Sequence, residues 1–141
     1  MRFKYRKLTM NLANLLDALV SDRDGIGPLH KRATAEAEAC FAAAGIDCAT
    51  MDEDKERRTG LLTITPIEGR KRGGGSTYQS FARGAGVNEI DWLNGEIVLL
   101  GRRHGVATPV NAMLQEASRA AAAAGTAPRS IPAADLLARL G

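Results

Sequence analysis

Residues 7–20 read KLTMNLANLLDALV, and the spacing inside this stretch decides the fold. An α-helix turns about 100° per residue, so Lys7, Asn11 and Asn14, at i, i+4 and i+7, share one face. Leu8, Met10, Leu12, Ala13, Leu15, Leu16, Leu19 and Val20 cover nearly every other direction. That distribution predicts a helix from about Tyr5 to Val20 running through a core. An ammonium and two amides in such a setting need partners, because burying them unpaired costs several kcal/mol. A solvated surface face is the commoner origin of polar residues at this spacing. Surface stripes, however, usually mix Glu, Lys and Arg, whereas this one carries two amides, indifferent helix formers but good two-way hydrogen bonders. The stripe is therefore a candidate binding face for a polar ligand.

Outward from this helix the chain is punctuated as a series of further helices. Ser21 to Gly25 is a turn-forming cluster. Pro28 suits the first turn of a second helix that runs to Ala44 and ends at Gly45. Met51 to Arg58 carries acids early and bases late, as the helix dipole prefers, and is expected to be short and exposed. Gly60 to Gly75 reads as a long loop, since Pro66 and the glycines oppose a central strand. Ser76 is the expected N-cap of a short helix, Thr77 to Arg83. Asn88 is the expected N-cap of the next, with Glu89 and Asp91 in its first turn, Ile90, Leu93, Ile97 and Leu100 as its seam, and Gly105 at its end. Asn94-Gly95 then falls in mid-helix, where glycine costs about 1 kcal/mol and points to tight packing or a ligand. Thr108 caps a following helix with Pro109 at its first position, and a last amphipathic helix spans Pro132 to Leu140.

At 141 residues the chain fits one domain, residues 1–141, able to bury a core without disulfides or metal. With 45% hydrophobic residues but only 4% aromatic ones, it suits packed helices better than a sheet sandwich, so an all-α fold is predicted. Cys40 and Cys48 are not in CxxC spacing and only His30 and His104 could join them, so no zinc site is expected. Reduced thiols, no signal peptide and no apolar run of membrane-spanning length imply a cytoplasmic protein without a membrane partner. The net charge is +3, yet the basic residues are scattered except for Arg70, Lys71 and Arg72. A nucleic-acid partner is disfavoured, because that triplet lacks a broad basic face with interleaved aromatics.

The stretch EIDWLNGEIVLLGRRHGVATPVN from Glu89 to Asn111, with KLTMN at the start and GGGSTYQS upstream, resembles the C-terminal domain of ketopantoate reductases (2-dehydropantoate 2-reductases) over nearly the whole chain. The resemblance implies an all-α fold of the 6-phosphogluconate dehydrogenase C-terminal type. It implies the reduction of 2-dehydropantoate or a related 2-keto acid in pantothenate biosynthesis, with NADPH bound by a Rossmann domain and no metal. By resemblance Lys7 is the proton donor and Glu89 an acid close to that lysine and to the cofactor. Asn11, Asn14 and Ser76 are substrate contacts, and Asp24 is a further candidate. Glu89 taken alone is an ordinary first-turn acid; beside Lys7 it would keep the amine charged. As hydride reaches the C2 carbonyl, negative charge grows on its oxygen, and a lysine within reach can neutralise it by giving up a proton.

The G-x-G-x-x-G turn that cradles a dinucleotide is missing: Gly25-Ile26-Gly27 lacks the third glycine and a preceding strand, and Gly73 to Gly75 opens only a short segment. The chain is thus expected to be the substrate half of such an oxidoreductase, with a Rossmann partner supplying the nucleotide site and no turnover alone. The alternative is a non-enzymatic helical module for dimerisation or small-acid binding. A small 2-keto or 2-hydroxy acid and a second copy of the chain complete the expected partners.

Overall fold

The computed structural model describes residues 1–59, 75–83 and 92–141. The described elements are α1 (Arg2–Leu19), a single 3-10 turn (Arg23–Gly25), α2 (Ile26–Ala43), α3 (Met51–Arg58), α4 (Ser76–Ala82), α5 (Asn94–His104), α6 (Pro109–Ala123) and α7 (Ala133–Ala138). The fold is all-α; among the described residues the only strand-like pairing is one parallel bridge between Val20 and Ile131.

The helix ends follow the local chemistry in most places. Gly45 and Gly105 take the left-handed conformation at φ +65° and +70° and stop α2 and α5. Pro28 sits in the first turn of α2, where the missing N–H has no intrahelical acceptor to lose. Thr50 and Glu53 form a reciprocal capping box, with the Thr50 N–H donating to Glu53 at 2.7 Å and the Glu53 N–H to Thr50 Oγ1 at 3.2 Å.

Four local expectations are corrected. Gly75, extended at ψ 179°, holds the cap position of α4, so Ser76 is its first helical residue rather than its cap. Asn94 opens α5 because Leu93, at φ −105° and ψ −83°, is not helical, so Gly95 is a first-turn residue and carries no mid-helix cost. Thr108 precedes α6 without a side-chain cap bond. Its place is taken by Glu36 of α2, whose carboxylate accepts from the Val110 N–H at 2.8 Å and the Asn111 N–H at 2.9 Å. α3 is not wholly exposed either: Asp54 is buried and paired with Arg58 at 2.7 Å.

The core is filled by Leu12, Leu15 and Leu16 of α1, Leu29 and Phe41 of α2, Ile97 of α5, Leu114 of α6 and Leu136 of α7. Ala33 and Ala37 of α2 are fully buried, allowing a close approach of the surrounding helices, and Tyr5 meets Phe41 edge to face at 5.2 Å. Among the described residues α2, α3, α4 and α6 pack around α1 and leave its Lys7 side the most open. Arg6, Thr9, Leu12, Leu15, Leu16, Ala18 and Leu19 are buried, whereas Leu8, Met10 and Ala13 are half-exposed and Lys7 is exposed. The apolar directions are thus only partly buried, and the Lys7, Asn11 and Asn14 face is the more accessible one.

The C-terminal end of α1 has all four of its orphan carbonyls satisfied. Leu16 O accepts from the Val20 N–H at 2.9 Å and Leu19 O from the Ile131 N–H at 3.0 Å. Asp17 O accepts from Arg129 Nε at 3.1 Å and Ala18 O from the Arg129 N–H at 2.8 Å. Arg129 does this from a left-handed backbone at φ +55°, a conformation that costs a side-chain-bearing residue about 1–2 kcal/mol and persists when surrounding contacts over-determine it.

Candidate functional site

Lys7, Asn11 and Asn14 lie along the open face of α1, Lys7 exposed and both amides half-buried. The rise of the helix spreads the three over about 10 Å. Among the described residues none of the three side chains has a hydrogen bond or ion pair. The stripe is thus open to an incoming group, although Lys7 stands in a more solvated position than a desolvated cleft would give it.

The start of α4 reaches the same flank. A Cβ placed on Gly75 would lie 3.7 Å from Asn14 Oδ1, which sets the exposed residue Ser76 at the edge of the stripe. Thr77 and Phe81 hold α4 by burial. Asp24 is not brought to this group: it is exposed in the 3-10 turn beyond the far end of α1. Its neighbour Asp22 has the structural task, accepting from the Ala133 N–H at 2.8 Å to cap α7. Glu89, the basic triplet Arg70 to Arg72 and the loop from Gly60 to Gly74 lie outside the described residues, so the Lys7–Glu89 pairing does too.

The sequence reading missed a second group of polar residues, Arg6, Thr9, Asn94 and Asn111, buried and hydrogen-bonded, although the Asn94 Oδ1 has no partner among the described residues. Arg6, one residue before Lys7, donates through Nε to Ala49 O at 2.6 Å and through Nη1 to Glu38 at 2.9 Å and Thr9 Oγ1 at 3.3 Å. Asn94 donates to Asn111 Oδ1 at 3.0 Å, and Asn111 donates to Ala33 O at 3.0 Å and to Glu36 at 2.7 Å. The asparagines of the L-N-G and T-P-x-N motifs therefore meet each other in the interior. Their signal is structural, and only the partner positions, 17 and 75 residues apart, reveal it.

Two shallow grooves of about 470 and 550 Å³ flank α3, and none of Lys7, Asn11, Asn14 or Ser76 lines either. Burial pushes the thiols of Cys40 and Cys48 up from their ordinary range, which makes both poor nucleophiles; both are free, Cys40 buried and Cys48 half-buried. No group of His, Cys, Asp and Glu able to hold a metal occurs among the described residues. No described helix is long and apolar enough to cross a membrane.

Fold and face together define a helical domain whose opening helix presents an amine and two amides beside the start of a short helix. The family model described as "Ketopantoate reductase PanE/ApbA C terminal" matches residues 2–122, and the chain belongs to that family. Among solved structures it is similar to the crystal structure of a PanE/ApbA family ketopantoate reductase from Ralstonia eutropha JMP134. The two share 29% identity with a TM-score of 0.64, over 86% of this chain and 41% of that one. The chain thus spans less than half the length of that enzyme. No curated protein matches it.

Proposed function

We propose that this chain is the substrate-binding half of a ketopantoate reductase-type oxidoreductase, with Lys7 as proton donor to a 2-keto acid such as 2-dehydropantoate. The observation that carries the reading is the open face of α1, where Lys7, Asn11 and Asn14 stand without partners among the described residues and Gly75, the neighbour of Ser76, borders Asn14. An ammonium there can give a proton to an alkoxide forming at C2. The amides and the hydroxyl of Ser76 suit a substrate carboxylate and hydroxyl without adding competing charge.

NADPH, held by a Rossmann domain, would supply the hydride. From this chain Glu89 is the residue assigned to lie near it. The opposite wall of the open flank would come from that partner, which also removes water from around Lys7 and strengthens its hold on the growing charge. The reading places the chain in pantothenate biosynthesis in the cytoplasm, in keeping with its two free thiols.

The test is turnover of 2-dehydropantoate by the chain combined with a nucleotide-binding domain of the same family. Activity that survives Lys7→Ala unchanged would remove the proton-donor role. Calorimetry with pantoate separates the non-enzymatic module: binding that needs Asn11 but never leads to turnover with any such domain supports retained acid recognition alone.

A further inference from the structure

Arg129 makes more contacts across the fold than its place in a surface turn foretells. Its Nη2 donates to both carboxylate oxygens of Asp17, at 3.0 and 3.1 Å, while Nε and the backbone N–H take the carbonyls of Asp17 and Ala18. Asp17 also faces Arg23, at 3.7 Å. The guanidinium plane, fixed by these bonds to the end of α1, lies 4.3 Å from the centre of the Tyr78 ring. That distance is well within the range of a cation–π contact.

Tyr78 belongs to α4, two residues after Ser76, and α4 has only seven residues. A helix of that length does not hold its conformation alone and takes its position from tertiary contacts. Thr77 and Phe81 anchor one side through burial; Arg129 meets the ring on the side that links α4 to the end of α1. Gly75, which caps α4 and directly precedes Ser76, is the residue that borders Asn14. A shift of α4 therefore changes the separation of Ser76 from the amide stripe directly. The residues that set it, 126 to 131, lie beyond the segment matched by the family model.

We propose that Arg129 is a positioning residue for the acid-binding face: its stack on Tyr78, braced on Asp17, holds α4 so that Ser76 stays beside Asn14. The proposal rests on the substrate-binding reading of that face.

The experiment uses the whole chain, with pantoate as the probe in calorimetry and amide hydrogen exchange as a ligand-free measurement. Tyr78→Leu and Arg129→Leu are each expected to weaken pantoate binding at least fivefold, and the double variant no more than either alone, since both remove one contact. Tyr78→Phe keeps the ring and restores binding. Leu137→Ala, partly buried on α7 and outside the Arg129–Tyr78 contact, lowers thermal stability and leaves affinity unchanged. In exchange, Arg129→Leu is expected to expose the Gln79 and Arg83 amides of α4, which bond to Gly75 O and Gln79 O, while the Leu12 to Leu16 region of α1 stays protected. Equal affinity in Tyr78→Leu and wild type, or an equal loss in Leu137→Ala, would overturn the proposal. If the wild-type chain binds no pantoate, the substrate reading fails by itself, and unchanged exchange of α4 in Arg129→Leu then overturns the positioning role separately.

Discussion

Asn11 and Asn14 on α1 and Asn94 and Asn111 between α5 and α6 carry the same amide, yet the molecule uses them in opposite ways. The first pair is half-exposed and unbonded among the described residues. The second is fully buried, with Asn111 spending both amide hydrogens and its oxygen on Ala33, Glu36 and Asn94. An amide with all its bonds made inside the protein specifies the fold, because losing any of them strands a polar group away from water. An amide left open at the surface is available to a ligand at little expense to stability. Family motifs in one chain thus divide into those that build the helix frame and those left open on the face proposed above to take the substrate.

The comparison breaks most visibly at Lys7. Lys7→Ala is expected to lower turnover with a nucleotide-binding partner by about 10²- to 10⁴-fold while leaving the melting curve nearly unchanged. Steady-state kinetics beside thermal unfolding measures both. The mirror image is Asn111→Ala, expected to lower stability in urea by about 3 kcal/mol, since it strands the Asn94 amide and takes a hydrogen bond from Glu36. A loss under about 1 kcal/mol would mean the buried amides are not a brace. Glu36→Gln keeps the shape but removes the charge that caps α6, and about 1–2 kcal/mol of stability should go with it.

Asn11→Ala sharpens the contrast with a small effect on folding, within about 0.5 kcal/mol, together with pantoate binding about tenfold weaker. A large loss of stability there would make Asn11 a structural residue like Asn111. The smallest expected effect is at Glu53, whose carboxyl is held below its ordinary range first by the Thr50 backbone N–H and then by Arg2. Because its pKa is depressed in the folded state, its contribution is present above the ordinary carboxylate range and fades as pH falls through the depressed value. Circular dichroism during acid titration should show Glu53→Gln removing that part of the pH dependence.

Local signals in the chain were read correctly where the controlling atoms are neighbours in sequence. Met51 to Arg58 has the predicted bounds, Gly45 and Gly105 end their helices, and Pro109 opens α6. Readings failed where the controlling atom comes from far away. Thr108 has the composition of a cap, but Glu36 reaches across to do the work. The apolar residues around α1 suggested a helix running through a core, and α2, α3, α4 and α6 do pack around it, but Lys7 stays exposed and Asn11 and Asn14 half-buried. Arg6, one of several bases at the start of the chain, is a buried tie to Ala49 and Glu38, and nothing in the neighbouring residues distinguishes it. Arg129 gave no signal, since neither its positive φ nor its partner Asp17, 112 residues earlier, is written in the residues beside it.

The amino-acid sequence by itself determined the helical composition, most helix ends and the alignment of Lys7, Asn11 and Asn14, because these depend on backbone preferences and a fixed angular repeat. The tertiary structure decided which polar residues are structural and which are open, and that α4 begins beside Asn14. Those outcomes depend on contacts between segments many tens of residues apart, and the spacing within a segment carries no information about which segment will face it.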